Sequence, residues 1–351
     1  MSDAEWAVTE PTLPVPAWLQ GKGGRPAYWC RRDIVDAIRY LVKEGIQWRA
    51  MPVDFPPYQT VYEVLHGWQQ SGATGQMHDE LRTQCRIAAG RKPEPTAAVI
   101  DSQSVKAAET AGRTSRGYDA GKKINGRKRH IAVDTIGLLL SVLITAAGVQ
   151  DRDGARPLLW NLRKAFPSIR LTWADSGYAG KLVTWARTRL KPRLTLQVVK
   201  RTEQHKFVVL PRRWVVERTF SWITRSRRTV RDYERLPGHH EAMVYWAMTI
   251  VMTRRLARYN QSHQLHPTLS YRTGSEGVWS LLKRSMANFA AADQARPGPH
   301  HQAQAQKIQY RSPPDRRLPG RHRPDNRTLV TTMHYEFNLV SESWLVGRPV
   351  R

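Results

Sequence analysis

Residues 124–148, "INGRKRHIAVDTIGLLLSVLITAAG", decide the fold of this 351-residue chain. Two runs rich in Ile, Leu and Val flank the turn-forming residues "DTIG" at 134–137, so the segment predicts two β-strands joined by a turn. A shorter apolar run, "AAVID" at 97–101, predicts a strand before them. Helix and strand patterns alternate afterwards, which is typical of an α/β fold with a mixed sheet flanked by helices.

The region after the strand pair continues this alternation. Asp153 is placed to cap a helix that has Pro157 in its opening turn. Further periodic segments predict strands at 169–175 and 194–200 and helices at 181–190, 212–228 and 241–259. We therefore expect an α/β domain over residues 95–260.

The region before this domain predicts helices alone. Apolar residues at helical spacing indicate a helix over 31–44 that ends at Gly45, a second that begins at Thr60, and a third over 77–89. Short helices, tight connections and a basic surface favour a small all-α, helix-turn-helix-like DNA-binding domain over residues 27–90. A purely structural cap of three helices is the open alternative.

The two ends of the chain have no such periodicity. Residues 1–26 are marked by Pro and Gly and are predicted to be irregular. Residues 262–351 are rich in Pro, Arg, His and Gln, so we expect a largely disordered basic tail. The cysteines, Cys30 and Cys85, form no metal-type spacing, which favours a reducing, cytoplasmic compartment.

The charge of the chain indicates a polyanionic partner. Lys and Arg number 56 against 29 Asp and Glu, a formal net charge of +27. Nucleic acid is the simplest such partner, because the release of its counterions drives binding, and an anionic membrane surface is the alternative. The longest apolar run, 137–149, is too short to span a bilayer, and the arginines of 212–228 surround much of their helix, so we expect no membrane partner.

Three acids stand out by their position. Asp101 ends the first predicted strand, Asp175 ends the strand at 169–175, and Glu217 lies one turn into the helix at 212–228. Sites in α/β sheets form where strands end, and neighbouring strands lie about 5 Å apart. A helix packed across that edge can bring Glu217 to the two aspartates.

Carboxylates so close repel one another, and a divalent cation removes the conflict. Oxygen ligands alone favour Mg²⁺ or Mn²⁺, and two such ions can cleave a phosphodiester. Each acid also has a simpler explanation: a turn at Asp175, a turn cap at Asp101, and a pair between Glu217 and Arg213. Turn and helix-cap roles explain three weaker candidates, Asp134, Asp151 and Asp153.

Several segments resemble DDE transposases of the bacterial insertion-sequence-five type. These segments are "VIDSQSVKAAE", "GRKRHIAVDTIGLLL", "VQDRDGARPLL", "WADSGYAG" and "RRWVVERTFSWITRSRR", and the resemblance covers roughly residues 13–260. It implies that 95–260 is an RNase H-like catalytic domain and that the protein binds the terminal inverted repeats of its element, cuts them, and joins them to target DNA. It also implies a bacterial, nucleoid-associated location.

The resemblance assigns roles to individual residues. Asp101, Asp175 and Glu217 match the catalytic, metal-binding triad, with two Mg²⁺ or Mn²⁺ ions and Asp101 shared between them. Tyr and Lys positions of some relatives hold Leu210 and Thr224 here. The expected DNA contacts are Arg213, Arg218, Arg225, Arg227 and Arg228 near the scissile bond, Lys122, Lys123, Arg127 and Lys128 along a strand edge, and Arg31, Arg32 and Lys43 in the N-terminal helices.

Two other functions stay open at this point. A metal-dependent DNA nuclease or resolvase on the same fold would cut without joining, and a decayed transposase would bind DNA as a repressor. Because two element ends must be cut together, a homodimer on double-stranded DNA is expected for the transposase.

Overall fold

A computed structural model describes residues 1–20, 27–191, 193–199 and 214–264, all within one compact unit, Met1–Tyr271. The helices are α1 Asp3–Thr9, α2 Arg31–Glu44, α3 Tyr58–Gln70, α4 Ala73–Ala88, α5 Asp151–Ala165, α6 Lys181–Arg189, α7 Trp214–Thr224, α8 Arg227–Val230 and α9 Pro237–Gln264. The strands are β1 Ala97–Lys106, β2 Gly117–Asp119, β3 Ile124–Val133, β4 Leu139–Ala146, β5 Leu171–Ala174 and β6 Thr195–Val198. The predicted tail at 262–351 lies outside the described residues, except for the last residues of α9.

The predicted strand pair forms as β3 and β4, with β4 at the edge of the sheet beside β3. β3 pairs antiparallel with β1 on one edge and with β4 on the other. β5 and β6 extend the sheet parallel to β1, and β2 pairs with the start of β3. This arrangement confirms the α/β class and the mixed sheet.

The turn between β3 and β4 forms where the sequence predicts it. The Oδ1 atom of Asp134 accepts hydrogen bonds from the backbone N–H groups of Ile136 and Leu138, at 2.9 and 2.8 Å. Gly137 has φ +84°, a conformation that glycine adopts at little cost. Its Cα also faces the side chains of Thr219 and Trp222 closely, so this turn packs directly on α7.

The two faces of the sheet are covered by different helices. On one face, Ala98 and Ile100 of β1 belong to a buried cluster with α5 and α6. On the other, Val99 and Trp173 pack with Val216 of α7 and with residues of α9. Since side chains of a strand alternate between faces, odd-numbered residues of β1 point toward α7.

The N-terminal helices share a third buried cluster with the C-terminal helix. Ile38 and Leu41 of α2 and Leu81 of α4 pack there with Trp246 and Ile250 of α9. Because α9 joins both segments, the division into 27–90 and 95–260 stays a prediction. No described helix has both the length and the apolar character needed to cross a membrane.

Several predicted boundaries are wrong. Residues 3–9 are helical, not irregular, because the Ser2 side chain caps α1 by accepting from the N–H of Glu5. α3 begins at Tyr58 after Pro57, before Thr60, since the fixed φ of proline suits a helix start. α5 begins at Asp151, so Asp153 lies inside its first turn.

The predicted helix over 212–228 is also interrupted. α7 ends at Thr224, and Ser226 has an extended backbone with φ −93° and ψ 116° before α8 begins. The Ser226 carbonyl accepts from the N–H of Thr229 at 3.0 Å, which starts the new turn. Arginines near this break therefore point in directions that one continuous helix would not give them.

Candidate active site

Asp101 and Asp175 both follow the last residues of the parallel pairing between β1 and β5. Val99 of β1 pairs in parallel with Trp173 of β5, the last pair of this register, and each aspartate follows two residues later in its own segment. Neighbouring strands are about 5 Å apart. The expectation that Asp101 ends its strand is wrong, because β1 continues to Lys106 by antiparallel pairing with β3. Asp101 nevertheless stands where the parallel pairing with β5 stops.

Each aspartate is oriented by a local backbone hydrogen bond. The Oδ1 atom of Asp101 accepts from the N–H of Ser102 at 2.7 Å. The Oδ1 atom of Asp175 accepts from the N–H of Gly177 at 2.8 Å and caps a short 3-10 helix, Ser176–Tyr178. The simpler turn role of Asp175 is therefore real and coexists with its position beside Asp101. Both side chains are half-buried.

The pKa of Tyr178 is affected by the charges of nearby carboxylates. Burial raises the pKa of its phenol well above the ordinary value, and the negative charges of Asp101, Asp151 and Asp175 raise the pKa further. All three carboxylates therefore lie near the phenol of Tyr178. Asp151 is paired with Lys128, so Asp101 and Asp175 are the two remaining contributors of negative charge near Tyr178.

Glu217 comes from the helix that covers the same face. Val216, Phe220 and Ile223 of α7 are buried against the sheet, whereas Glu217 is exposed beside this apolar stripe. Strand alternation puts Asp101 on the α7 side with Val99. The predicted pair of Glu217 with Arg213 falls outside the described residues.

The three predicted ligands are carboxylates, which suit a hard divalent cation. Carboxylate oxygens alone are ligands that Mg²⁺ and Mn²⁺ prefer. Among the residues described, no group of three or more His, Cys, Asp or Glu side chains could hold a metal ion. The assignment of Asp101, Asp175 and Glu217 as metal ligands stays a prediction.

A polar network that the sequence did not predict lies on the face of β1 opposite to Asp101. The Oγ atom of Ser102 donates to Asp151 at 2.7 Å, and the Lys128 ammonium contacts the same carboxylate at 2.9 Å. Burial opposes the charge of Asp151, but hydrogen bonds from Lys128 and Ser102 lower its pKa on balance. The alternating serines of "DSQS" were the available signal, since they mark a polar strand face.

Three of the expected DNA-contacting residues are buried and paired. The Nη1 atom of Arg127 contacts Asp232 at 2.8 Å, Lys128 contacts Asp151, and the Nε atom of Arg228 contacts Glu234 at 2.7 Å. Arg127 is 1% exposed and Arg228 6%. Each of these cations has a carboxylate partner, so a phosphate contact would have to compete with an existing ion pair.

Arg218 is half-buried in a stack. Its guanidinium lies over the rings of Trp214 and Trp222, at 4.3 and 4.7 Å from the ring centres, and donates to the carbonyl of Ile136 at 2.9 Å. Burial lowers the pKa of Arg218, and the nearby charge of Arg255 lowers it further. The stack leaves this cation fewer free donors for DNA.

The other basic residues fall into three groups. Lys122, Lys123, Arg225 and Arg227 are exposed. Arg31, Arg32 and Lys43 are half-buried. Arg32 pairs with Asp3 at 2.6 Å, Arg31 donates to the Pro14 carbonyl at 3.3 Å, and Lys43 donates to the Arg225 carbonyl at 3.2 Å. Arg213 lies outside the described residues.

Comparisons with known proteins identify the family of the chain. The family "Transposase DDE domain" matches residues 92–252, and "Putative transposase of IS4/5 family" matches residues 1–78. The putative transposase for insertion sequence element IS402 of Burkholderia cepacia is 30% identical over 149 residues, which cover 39% of this chain and 67% of the relative.

Two further matches are weaker. An uncharacterized 16.2 kDa protein of insertion element IS402 from Burkholderia cepacia is 27% identical over 109 residues, 30% of this chain and 73% of the relative. The Drosophila P element transposase strand transfer complex matches with 15% identity and a TM-score of 0.28, over 56% of this chain and 47% of the other. That score is too low to support a conclusion about the fold. Transposase DDE domains use divalent metal ions, and on the family matches and the IS402 relative the chain belongs to the IS4/5 family of DDE transposases.

Proposed function

We propose that this DNA transposase binds the terminal inverted repeats of its own element and cuts and joins DNA at Asp101, Asp175 and Glu217. The observation that carries the proposal is the register of β1 and β5, which puts Asp101 and Asp175 each two residues beyond its last pair, on the side of the sheet that α7 covers. The same strand order supports the RNase H-like interpretation of residues 95–260.

Asp101, Asp175 and Glu217 would hold two divalent cations, Mg²⁺ or Mn²⁺, with Asp101 shared between them. Bound divalent ions supply charge neutralisation at the phosphodiester and its leaving oxygen. The backbone N–H groups of Ser102 and Gly177 fix the two carboxylates before any ligand arrives. Exposed Arg225 and Arg227, which follow α7 directly, would contact phosphates beside the site.

The remaining finer features belong to the same proposal. The helices of residues 27–90 would recognise the element ends, and two copies would act together on double-stranded DNA as a homodimer in a bacterial, nucleoid-associated setting. Exposed Lys122 and Lys123, at the start of β3, would contact the backbone of the same DNA.

Incubation of the full chain with labelled duplexes that carry the inverted repeats flanking its gene, with Mg²⁺ and plasmid target, tests the proposal. Nicked ends followed by joined products are expected, and Asp101→Asn should yield neither while still shifting the duplexes on a gel. Cutting without joining would favour the nuclease or resolvase. Binding without cutting by the native protein would favour the repressor.

A further inference from the structure

A groove of about 960 Å³ lies apart from the carboxylates, beside the far end of β1. Its walls are the short 3-10 helix Trp48–Ala50, helix α3, the chain just after β1, and the segment 233–239. This volume is at the upper end of the roughly 300–1,000 Å³ typical of ligand sites. None of the residues proposed for catalysis lines it, so it is a separate feature.

Aromatic rings form one wall of this aromatic groove. Tyr62 lies edge-on to Trp48 with ring centres 5.3 Å apart and parallel to His66 at 5.8 Å. The Nδ1 atom of His66 lies 3.1 Å from the Nε2 atom of His239, which fixes both imidazoles. Tyr62 is 38% exposed, and Tyr233 across the groove is 37% exposed. Rings held rigidly at their edges but open to solvent can receive another flat ring.

The rim of the groove is basic. Arg116 donates to the carbonyl of Ala108 at 3.2 Å, and Arg231 donates to the carbonyl of Ala107 at 3.0 Å, so both stay near the loop after β1. Arg235 is exposed and lines the groove directly. Glu234 also lines it, but the buried Arg228 neutralises its carboxylate. The exposed Arg235 beside an aromatic wall, with Arg231 and the half-buried Arg116 nearby, matches the two parts of a nucleotide, its phosphate and its base.

We propose that the aromatic groove binds unpaired nucleotides of a DNA strand, with bases against Tyr62 and Tyr233 and phosphates at Arg235 and its neighbours. Aromatic side chains bind single strands in this way because every base has an open π-face once it leaves the duplex. Burial lowers the pKa of His239, so its ring is neutral near neutral pH and does not repel the arginines.

Strand β1 connects the groove to the proposed active site, and the inference rests on the proposed function in this respect. Asp101 and Ala107 are six residues apart on an extended segment, which spans roughly 20 Å. A DNA strand advances about 3.4 Å per nucleotide in a duplex. A strand held at Asp101 would therefore reach the groove about six nucleotides away, where opened base pairs could be held apart.

Binding of fluorescein-labelled oligo(dT) of twelve nucleotides to the full chain, measured by anisotropy in EDTA, tests the inference. Tyr62→Ala is expected to weaken this binding about tenfold, the loss of one base stack, while affinity for a twelve-base-pair duplex changes less than twofold. Tyr62→Phe keeps the ring and should bind like the native protein. Tyr28→Ala, which removes a tyrosine that is 91% exposed outside the groove, is the matched control.

Arg235→Ala gives an independent measurement, because its side chain is exposed and its loss should not affect folding. It should weaken oligo(dT) binding two- to fivefold and flatten the salt dependence. Unchanged oligo(dT) affinity in Tyr62→Ala or Arg235→Ala, or an equal loss in Tyr28→Ala, would overturn the inference. A change of oligomeric state in Tyr62→Ala without a change in oligo(dT) affinity would also overturn it, in favour of a protein partner.

The two proposals fail separately, because the binding assay contains no metal and needs no cutting. A chain that cuts and joins DNA but binds oligo(dT) independently of Tyr62 keeps the proposed function and loses the aromatic groove. A chain that never cuts, but whose oligo(dT) affinity follows Tyr62 and Arg235, loses the proposed function and keeps the groove.

Discussion

The chain contains two groups of carboxylates that differ in their access to solvent. Asp101 and Asp175 are half-buried and Glu217 is exposed, all on or beside the edge where β1 and β5 part. Asp134 and Asp232, by contrast, are completely buried. Carboxylates of this fold therefore occur in two environments, one open to solvent and one closed to it.

Each acid of the buried group meets an arginine from a distant part of the fold. Arg86 of α4 contacts Asp134, which ties the N-terminal helices to the β3–β4 turn. Arg127 of β3 contacts Asp232, which ties the sheet to the segment after α8. A buried charge is costly without a partner, so these acids fix long-range contacts and are not available to ligands.

Asp101→Asn tests the accessible group and should have the largest effect. Cutting of element ends should fall by at least about 10³-fold, because the amide loses the charge that a cation site needs. The unfolding free energy should change by less than about 1 kcal/mol, as for other substitutions outside the core. Single-turnover cleavage and urea unfolding measure the two effects.

Asp153→Asn is the matched control for this change, since Asp153 is an exposed acid in the first turn of α5. It should cut normally. Equal loss of cutting in both variants would mean that general acidity of the surface, and not the aligned pair of aspartates, governs the reaction.

Asp232→Asn tests the buried group. Its carboxylate contacts Arg127 at 2.8 Å and His240 at 3.1 Å, all three side chains being buried. Removing the charge should cost about 3–5 kcal/mol of unfolding free energy, because the Arg127 guanidinium stays buried without a counter-charge. Urea unfolding at pH 7 gives the value.

Arg127→Met combined with Asp232→Asn provides the internal check. The double variant should be more stable than Asp232→Asn alone, since the uncompensated cation is gone. A double variant that is additively worse would show that packing, not charge pairing, explains the role of Asp232.

The sequence predicted the elements whose local signals agree with the fold. α2 has the predicted bounds 31–44, and Gly45 ends it with φ 70° in the left-handed region. The turn at 134–137 formed as predicted because Asp134 and Gly137 supply its own hydrogen bonds and dihedral angles. Such signals depend on a few neighbouring residues, so they can be recognised in a single sequence.

The burial of charged residues could not be predicted from local sequence in the same way. "GRKRH" at 126–130 has the composition of an exposed basic strand, yet all five residues are buried. Their burial depends on Asp151 and Asp232, which lie more than 20 residues away in the sequence and approach only in the folded sheet. The alignment of Asp101 with Asp175 was predicted from strand order, but its register comes from the structure alone.

His130→Gln extends the comparison to His130, a buried ionisable group whose described partner is Thr145 instead of an arginine. Burial lowers the pKa of His130 to about 4, and its Nε2 atom lies 2.9 Å from the Oγ1 atom of Thr145. The unfolded chain takes up this proton near pH 6.5, so the native protein loses stability as the pH falls from 6.5 to 4, by about 3 kcal/mol from this residue. Urea unfolding across this window should show a shallower decline in His130→Gln.

Some decline should persist in this variant, because burial also lowers the pKa of His78 and His239. Replacing the exposed His263 by Gln is the control and should leave the native curve unchanged. An identical curve for His130→Gln and the native protein would show that His130 does not carry the pH dependence.

Arg227→Ala should have the smallest effect, and it distinguishes the role of Arg227 from that of the adjacent Arg228. Arg227 is exposed and lies 3.5 Å from Glu44, whereas Arg228 is buried against Glu234. Exposed pairs contribute little, so the stability of Arg227→Ala should be close to native. Affinity for duplex DNA should fall two- to fivefold, and the slope of log affinity against log salt should fall by about 0.9, the value for one phosphate contact.

Arg91→Ala, at another exposed arginine, should change neither quantity. A native salt slope in Arg227→Ala would remove this arginine from the DNA-binding surface and leave Arg225 as the exposed cation beside the site.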